Sequence, residues 1–549
     1  MNKVFFKNPL YYLKNFQRVL QWISERSSDL LSDKERRFLD TFATLPQPSC
    51  ALFVRMIMRK GTLFRASKLQ YAEIGCPLEA ARPLLAAGWI ESDPLLTLDA
   101  LFEVLSKAEI GVLFSLPLHV RDARKADQLA ALRARFGAAR RFSAWHRDCT
   151  DPLFHVLVKP LCDRLRLIFF GNFRQDWTEF VLSDLGVHRY EQVAFSVASR
   201  GFRSRRDIEH YLELHHCKER FQASAPAPEV LRELPAQCDN DWLNSRRERL
   251  MYQIAQHYEQ QRDWGNAYTL YARCRFPGAR ARAIRVLEKA KQYAQAYQLL
   301  CTAQRALESD AERQQLLRIS PRLTRQLGRP TTRAPRRPAV PRLDLRLPMP
   351  AQQSRVESAV CAHLASAEAP VFYVENTLIN ALFGLLCWRA IFSAIPGAFF
   401  HPFHRGPADL YSPDFCQRRS VEFGACMAEL DDGTYRDTIR TTFAAKRGIL
   451  SPFLAWDSVD AALLELALTC IPAAHLKKIF ERILLDVRAN RSGFPDLIQF
   501  WPAEQRYNMI EVKGPGDRLQ DNQLRWIGFC ALHQMPVSVC YLQWLEARL

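Results

Sequence analysis

Apolar residues recur at three- and four-residue spacing through most of the chain, the period of a helix with one buried face. Residues 1–100 read as a small helical domain. In "CALFVRMIMRKGTLFRASKL" an apolar run ends in a basic edge of Arg59, Lys60, Arg65 and Lys68. "PLEAARPLLAAGWIESDPLLTLDALFEVL" predicts a helix, a wing-like turn at Gly88 and another helix. Two more helices, "LSKAEIGVLF" and "KADQLAALRARFG", fall in 101–150. Residues 151–320 continue as helices and hold a repeat at an offset of 29 residues: Trp264 matches Tyr293, Ala267 matches Ala296, Tyr268 matches Tyr297 and Leu270 matches Leu299. Small residues at the close contact with aromatics around them predict an irregular tetratricopeptide-like array.

The pattern then breaks twice. From Arg318 to Arg346 there are nine arginines, five prolines and one acid, so 321–352 reads as a linker without regular helix. Residues 353–549 change period. "APVFYVENTLINALFGLLCWRAIF" leads into a helix and a helix-rich middle follows. "PDLIQF" and "YNMIEVK" then alternate as strands joined by "WPAEQR". A final helix and the strand "MPVSVCYLQW" close the chain. The fold class is multidomain and mainly α, ending in a small mixed sheet flanked by helices.

Charge adds a partner class. The formal net charge of +18 and pI near 9.4 favour a polyanion, nucleic acid ahead of an anionic membrane surface. Between Arg121 and Arg147 eight Arg or Lys residues, Arg121, Arg124 and Lys125 among them, stand against two Asp. A solvated helix face and a DNA-backbone contact both fit that cluster. Fifteen scattered cysteines with no C-x-x-C pair exclude a zinc finger and point to a reducing compartment. No apolar run reaches eighteen residues and "MNKVFFKNPLYYLKNF" lacks a cleavage site, so neither a membrane span nor a signal peptide is expected.

The candidate chemistry lies between Ser492 and Ile527. Strand periodicity puts Glu511 and Lys513 on one face, with Asp496 at the mouth of the preceding strand. Two carboxylates and the Val512 carbonyl are hard oxygen ligands, suited to Mg²⁺ or Mn²⁺. Lys513 is placed to activate a water or to neutralise a phosphate. Glu375, opening an amphipathic helix upstream, offers a third carboxylate. Gln523 and Trp526 share a face of the helix that follows. The order PD…E-x-K is the signature of the PD-(D/E)xK nucleases, and a surface strand with an ordinary Glu–Lys pair is the competing reading.

"GFPDLIQF…IEVKGPGDRLQDNQLRW" closely resembles the VRR-NUC domain, with the run E-V-K-G-P-x-D-R-L nearest to the Fanconi-associated nuclease family. "LFVRMIMRKGTLFRASKLQYAEI" resembles that family's N-terminal DNA-binding region, and the two helices of 101–150 sit where it has a SAP-type motif. The resemblance implies a C-terminal restriction-endonuclease-like domain over 353–549. It implies one or two Mg²⁺ or Mn²⁺ ions held by Glu375, Asp496, Glu511 and the Val512 carbonyl, with Asp496, Glu511 and Lys513 catalytic and Gln523 in support. It further implies a 5′ flap endonuclease and 5′ exonuclease that acts as a monomer on branched DNA in repair, interstrand crosslinks included. Arg418 and Arg419 are candidates for a 5′-phosphate pocket. No ubiquitin-binding zinc finger is visible, so a shorter bacterial member is expected, cytoplasmic and nucleoid-associated; a eukaryotic one would be nuclear. The alternatives are a Holliday-junction resolvase and a DNA-damage scaffold with an inactive nuclease fold.

Overall fold

The computed structural model describes residues 9–196, 199–330, 340–349 and 355–545. It divides into two compact units, Met1–Val187 with Gly201–Arg205, and His188–Arg200 with Arg206–Leu549. Among the described residues no helix is long and apolar enough to cross a membrane. All fifteen cysteines are free thiols.

In the first unit the helices Tyr11–Ser27, Asp33–Thr44 and Gln47–Met58 bury Phe16, Phe38, Phe42 and Phe53 against Trp89. Ser32 and Glu35 start the second of these helices with a reciprocal capping box. Contrary to the helical reading, residues 1–100 are not all helical. They carry β1 (Leu63–Arg65), β2 (Ile90–Ser92) and β3 (Leu95–Leu96). Further along are β4 (Arg140–Arg141), which pairs with β3, and β5 (Leu153–Val156). The sheet order is β1-β5-β2, all antiparallel. A boundary at 150 therefore cuts β5 from its partners, and the segment just after it folds with the N-terminal unit. Gly88 is the predicted turn: at φ +68° it ends the helix Pro77–Ala86, its N–H reaching Leu85 and that of Trp89 reaching Leu84.

The second unit begins with stacked helices. The two repeat halves start helices at equivalent points, Trp264–Arg273 and Tyr293–Arg305, and Ala267 and Ala296 are both wholly buried at the close contact. The helix Asp310–Gln326 runs through Pro321, contrary to the linker reading. The Thr324 hydroxyl donates to the Ser320 and Pro321 carbonyls in that turn. The same reading fails at β6 (Arg342–Pro348), which is a sheet strand. Residues 331–339 and 350–352 of that segment lie outside the described residues.

The C-terminal sheet adds β7 (Val371–Tyr373), β8 (Leu497–Trp501), β9 (Arg506–Lys513) and β10 (Val537–Leu545) in the order β6-β10-β9-β8-β7. β9 runs parallel to β10 through the crossover helix Asp521–Leu532 and antiparallel to β8. Alternation sorts its faces. Leu497, Ile510, Val512, Cys540 and Leu542 face Val360 of the helix Val356–Leu364. Ile498, Phe500, Met509 and Val539 face the larger core, built from the helices Leu378–Leu386, Ala461–Cys470, Ala473–Leu485 and Asp521–Leu532. That core includes the stretch of about 120 residues between Glu375 and Asp496.

Within this stretch Arg419 is wholly buried and forks onto Asp409, both contacts at 2.9 Å, with Arg418 on the same carboxylate at 2.7 Å. Removing the acid leaves a guanidinium buried without its counter-charge. Asp409→Ala is expected to lower unfolding free energy by about 3–5 kcal/mol, read from denaturant titration of the full chain.

Candidate active site

β9 is the central strand, so Glu511 and Lys513 are covered on both sides and do not lie on a sheet edge. The β8–β9 register pairs Leu497 with Ile510, and one more step sets Asp496 opposite Glu511. Directly opposed residues have Cβ atoms roughly 4.5–5.5 Å apart. Asp496 is fixed from two directions. Its Oδ2 accepts the Val512 N–H at 2.9 Å, and its carbonyl accepts the Val374 N–H at 2.8 Å. The carboxylate thus continues the ladder one step beyond β8.

Glu511 has no exposed surface, and Asp496 and Lys513 are 6% and 7% exposed. Lys513 Nζ approaches Glu511 Oε1 to 2.7 Å. That buried ion pair engages Oε1, while Oε2 is buried with no hydrogen-bond partner. Burial is the main force on the carboxyls. It pushes Glu511 up to about 8, with the Asp496 and Glu375 charges adding and Lys513 opposing. Asp496 is pushed up to about 6, with the Val512 N–H and Lys513 opposing and Glu375 and Glu357 adding.

Glu375 lies in the turn between β7 and the helix Leu378–Leu386, three residues ahead of the helix it was expected to open. That helix is buried all round and not amphipathic. The Tyr373 hydroxyl donates to Glu375 Oε2 at 2.6 Å and the Asn376 amide to Oε1 at 3.2 Å. Sequence reasoning missed both donors. The i, i+2 spacing of Tyr373 and Glu375 was the available signal, since in extended chain it puts them on one face.

Glu375, Asp496 and Glu511 act on one another electrostatically, yet no three His, Cys, Asp or Glu side chains among the described residues are gathered tightly enough to hold an ion. The donor set nevertheless fits a hard divalent cation. Its atoms are all oxygens, and Glu511 Oε2, buried without a hydrogen-bond partner, is the kind of buried group that a cation satisfies.

The other candidates separate. Gln523 is buried, and its side chain accepts the Gln520 N–H at 2.8 Å and caps the helix Asp521–Leu532. Trp526 stacks on Phe494, centroids 4.1 Å apart. Arg418 and Arg419 do not form an open phosphate pocket: Arg419 is inside the core and both are spent on Asp409. In the first unit Arg65 is bound by Asp151 and Glu109, and Lys125 donates to the Leu105 carbonyl at 2.7 Å, so both serve the fold. Arg59, Lys60, Lys68, Arg121 and Arg124 are exposed.

Three family profiles match the chain: "FAN1, HTH domain" over 10–91, "Fanconi anemia-associated nuclease SAP domain" over 95–145 and "VRR-NUC domain" over 430–544. The chain is 54% identical to the Fanconi-associated nuclease 1 homolog of Pseudomonas aeruginosa, covering 98% of this chain and 96% of that one. It is 26% identical to the homolog of Oryza sativa, covering 98% of this chain and 63% of that one. Among solved structures it is similar to paFAN1 bound to DNA with a two-nucleotide 5′ flap and a gap. The TM-score is 0.96 at 53% identity, covering 99% of this chain and all of that one.

The raised Glu511 carboxyl has a stability consequence. Between its ordinary value of 4.5 and about 8, the unfolded chain ionises Glu511 while the folded chain keeps the proton, so stability falls as pH rises through that window. Glu511→Gln removes this cost. In chelator the variant is expected to melt above the parent at pH 8 and closer to it at pH 5. Added divalent cation is expected to raise the melting temperature of the parent and not of the variant.

Proposed function

The chain belongs to the Fanconi-associated nuclease family, and on that premise we propose that it is a divalent-metal-dependent nuclease that hydrolyses phosphodiester bonds in branched DNA carrying a 5′ flap. The observation that carries the reading is the buried Glu511 carboxylate, its Oε2 without a hydrogen-bond partner, set opposite Asp496 and paired with Lys513. A purely structural ion pair in that position would be expected to satisfy its oxygens.

In this reading Asp496, Glu511, Glu375 and the Val512 carbonyl hold Mg²⁺ or Mn²⁺. Bound there, such an ion supplies charge neutralisation and an activated water. The protein's own part is orientation and electrostatics. Asp496 is aimed by the Val512 N–H. Lys513, on the same strand face as Glu511, presents its ammonium to the attacking water or to the developing phosphate charge. Water attacks in line and leaves a 5′-phosphate product. The large core on this sheet face keeps bulk solvent away from the strand that carries the charges.

Recognition rests on phosphates and DNA shape. The exposed Lys60, Lys68, Arg121 and Arg124 suit backbone contacts, and Arg59 joins them while donating to the Lys68 carbonyl. The setting is repair of branched or crosslinked DNA in the bacterial cytoplasm, with the protein a monomer on its substrate.

The test is cleavage of a 5′-flap duplex in Mn²⁺, beside a four-way junction of the same sequence. The parent is expected to prefer the flap. Asp496→Ala is expected to lose at least about a thousand-fold in rate, roughly 4 kcal/mol of transition-state stabilisation. Unchanged cleavage by that variant removes Asp496 from the site. Preferred cutting of the junction by a dimer favours a resolvase, and a parent that cuts neither substrate favours a scaffold.

A further inference from the structure

Asp496 and Glu511 are aligned by sheet register, but Glu375 stands in a turn and needs another source of order. Two side chains supply it. Tyr373 takes one lone pair of Oε2 and Asn376 one of Oε1, which fixes the carboxylate plane and leaves the other lone pair of each oxygen free for a cation.

Asn376 does more than donate. Its Oδ1 accepts the N–H groups of Gly493 and Phe494 at 2.8 and 3.2 Å, in the turn that leads to Asp496. Its carbonyl accepts from the Asn380 amide at 2.8 Å, and that amide donates again, at 2.8 Å, to the Arg491 carbonyl. One side chain therefore bonds the Glu375 carboxylate and the Asp496 turn at once. The backbone at Asn376 is left-handed, φ +53°, a conformation Asn adopts more readily than most residues. The receiving turn is itself fixed. At Gly493, φ +95°, an added Cβ would stand 2.8 Å from the Asn522 main-chain carbon in the helix Asp521–Leu532.

We propose that Asn376, assisted by Tyr373, is a positioning residue that locks Glu375 into register with Asp496 and so sets the affinity of the site for its divalent cation. The inference rests on the reading of Glu375 as a metal ligand. Partners of ligating carboxylates typically govern metal affinity by ten- to a hundred-fold.

The test compares the full-length parent with Asn376→Gly, Tyr373→Phe and Glu375→Ala. Gly accepts the left-handed backbone, and Phe deletes a single hydroxyl. Mn²⁺ binding is titrated without DNA by electron paramagnetic resonance, and flap cleavage is then followed across Mn²⁺ concentrations. Asn376→Gly is expected to bind Mn²⁺ about ten- to a hundred-fold more weakly and Tyr373→Phe about three- to ten-fold more weakly. In both, the parent's maximal rate should return at high Mn²⁺, which a general structural lesion would not allow. If Asn376→Gly fails to fold, Tyr373→Phe decides alone. Parent-like Mn²⁺ affinity in the foldable variants, with Glu375→Ala weakened, overturns the inference and spares the ligand assignment. Parent-like affinity in Glu375→Ala overturns both. A rate that stays low at saturating Mn²⁺ also overturns the inference.

Discussion

Two carboxylates, Asp496 and Glu511, face one another across adjacent strands with almost no water around them. Bringing like charges together in a dry place is unfavourable, and burial and mutual repulsion hold both carboxyls above their ordinary range. The C-terminal architecture makes that arrangement unavoidable. β9 lies at the centre of the sheet, and from Met509 to Lys513 every one of its residues is buried. The larger core packs on the face from which Asp496, Glu511 and Lys513 rise. Lys513 compensates part of the charge through Glu511 Oε1 and leaves Oε2 without a partner.

The stretch between Glu375 and Asp496 is more than spacing. Its helices supply much of the larger core, and its loops are pinned by the buried fork of Arg419 on Asp409. At its two ends it returns to the site through Asn376 and Asn380, whose amides join the Glu375 turn to the residues ahead of Asp496. An insertion closed by such a clasp brings two carboxyl groups 121 positions apart, Glu375 and Asp496, within electrostatic reach of one another. The helix Asp310–Gln326 is attached to the same region. Arg318 bridges to Asp521, and Arg525 donates to Gln314 at 2.8 Å, so the stacked helices hold the crossover helix beside the site.

What could be read in the sequence depended on local periodicity. Strand alternation put Glu511 and Lys513 on one face and Asp496 near them, because register in a tight hairpin is set by its turn. The 29-residue repeat found equivalent helices, because Ala267 and Ala296 face the same steric demand. The small N-terminal sheet stayed hidden. β1 and β2 are three residues each and pair with β5 from far along the chain, so neither shows a period. Pro321 read as a helix breaker, and the packed helix around it prevailed over that local preference. Arg65, Lys125, Arg418 and Arg419 have partners within the fold that the sequence does not mark. A basic residue on paper carries no mark of whether an acid from elsewhere has claimed it, and Glu109, Asp151 and Asp409 have claimed three of these four.

The electrostatics also bear on why a protein of net charge +18 gathers carboxyl groups beside Lys513. Distributed lysines and arginines attract a polyanion over about a Debye length, some 8–10 Å, and hold it with little regard to sequence. At the site itself Glu375, Asp496 and, once ionised, Glu511 oppose Lys513 and would repel a phosphate. A bound divalent cation reverses that sign locally, since it becomes the largest charge in the site. Attraction by the surface and admission by the site are then separate events, so the protein is able to hold DNA widely and still restrict chemistry to the moment when carboxylates, cation and phosphate are all in place.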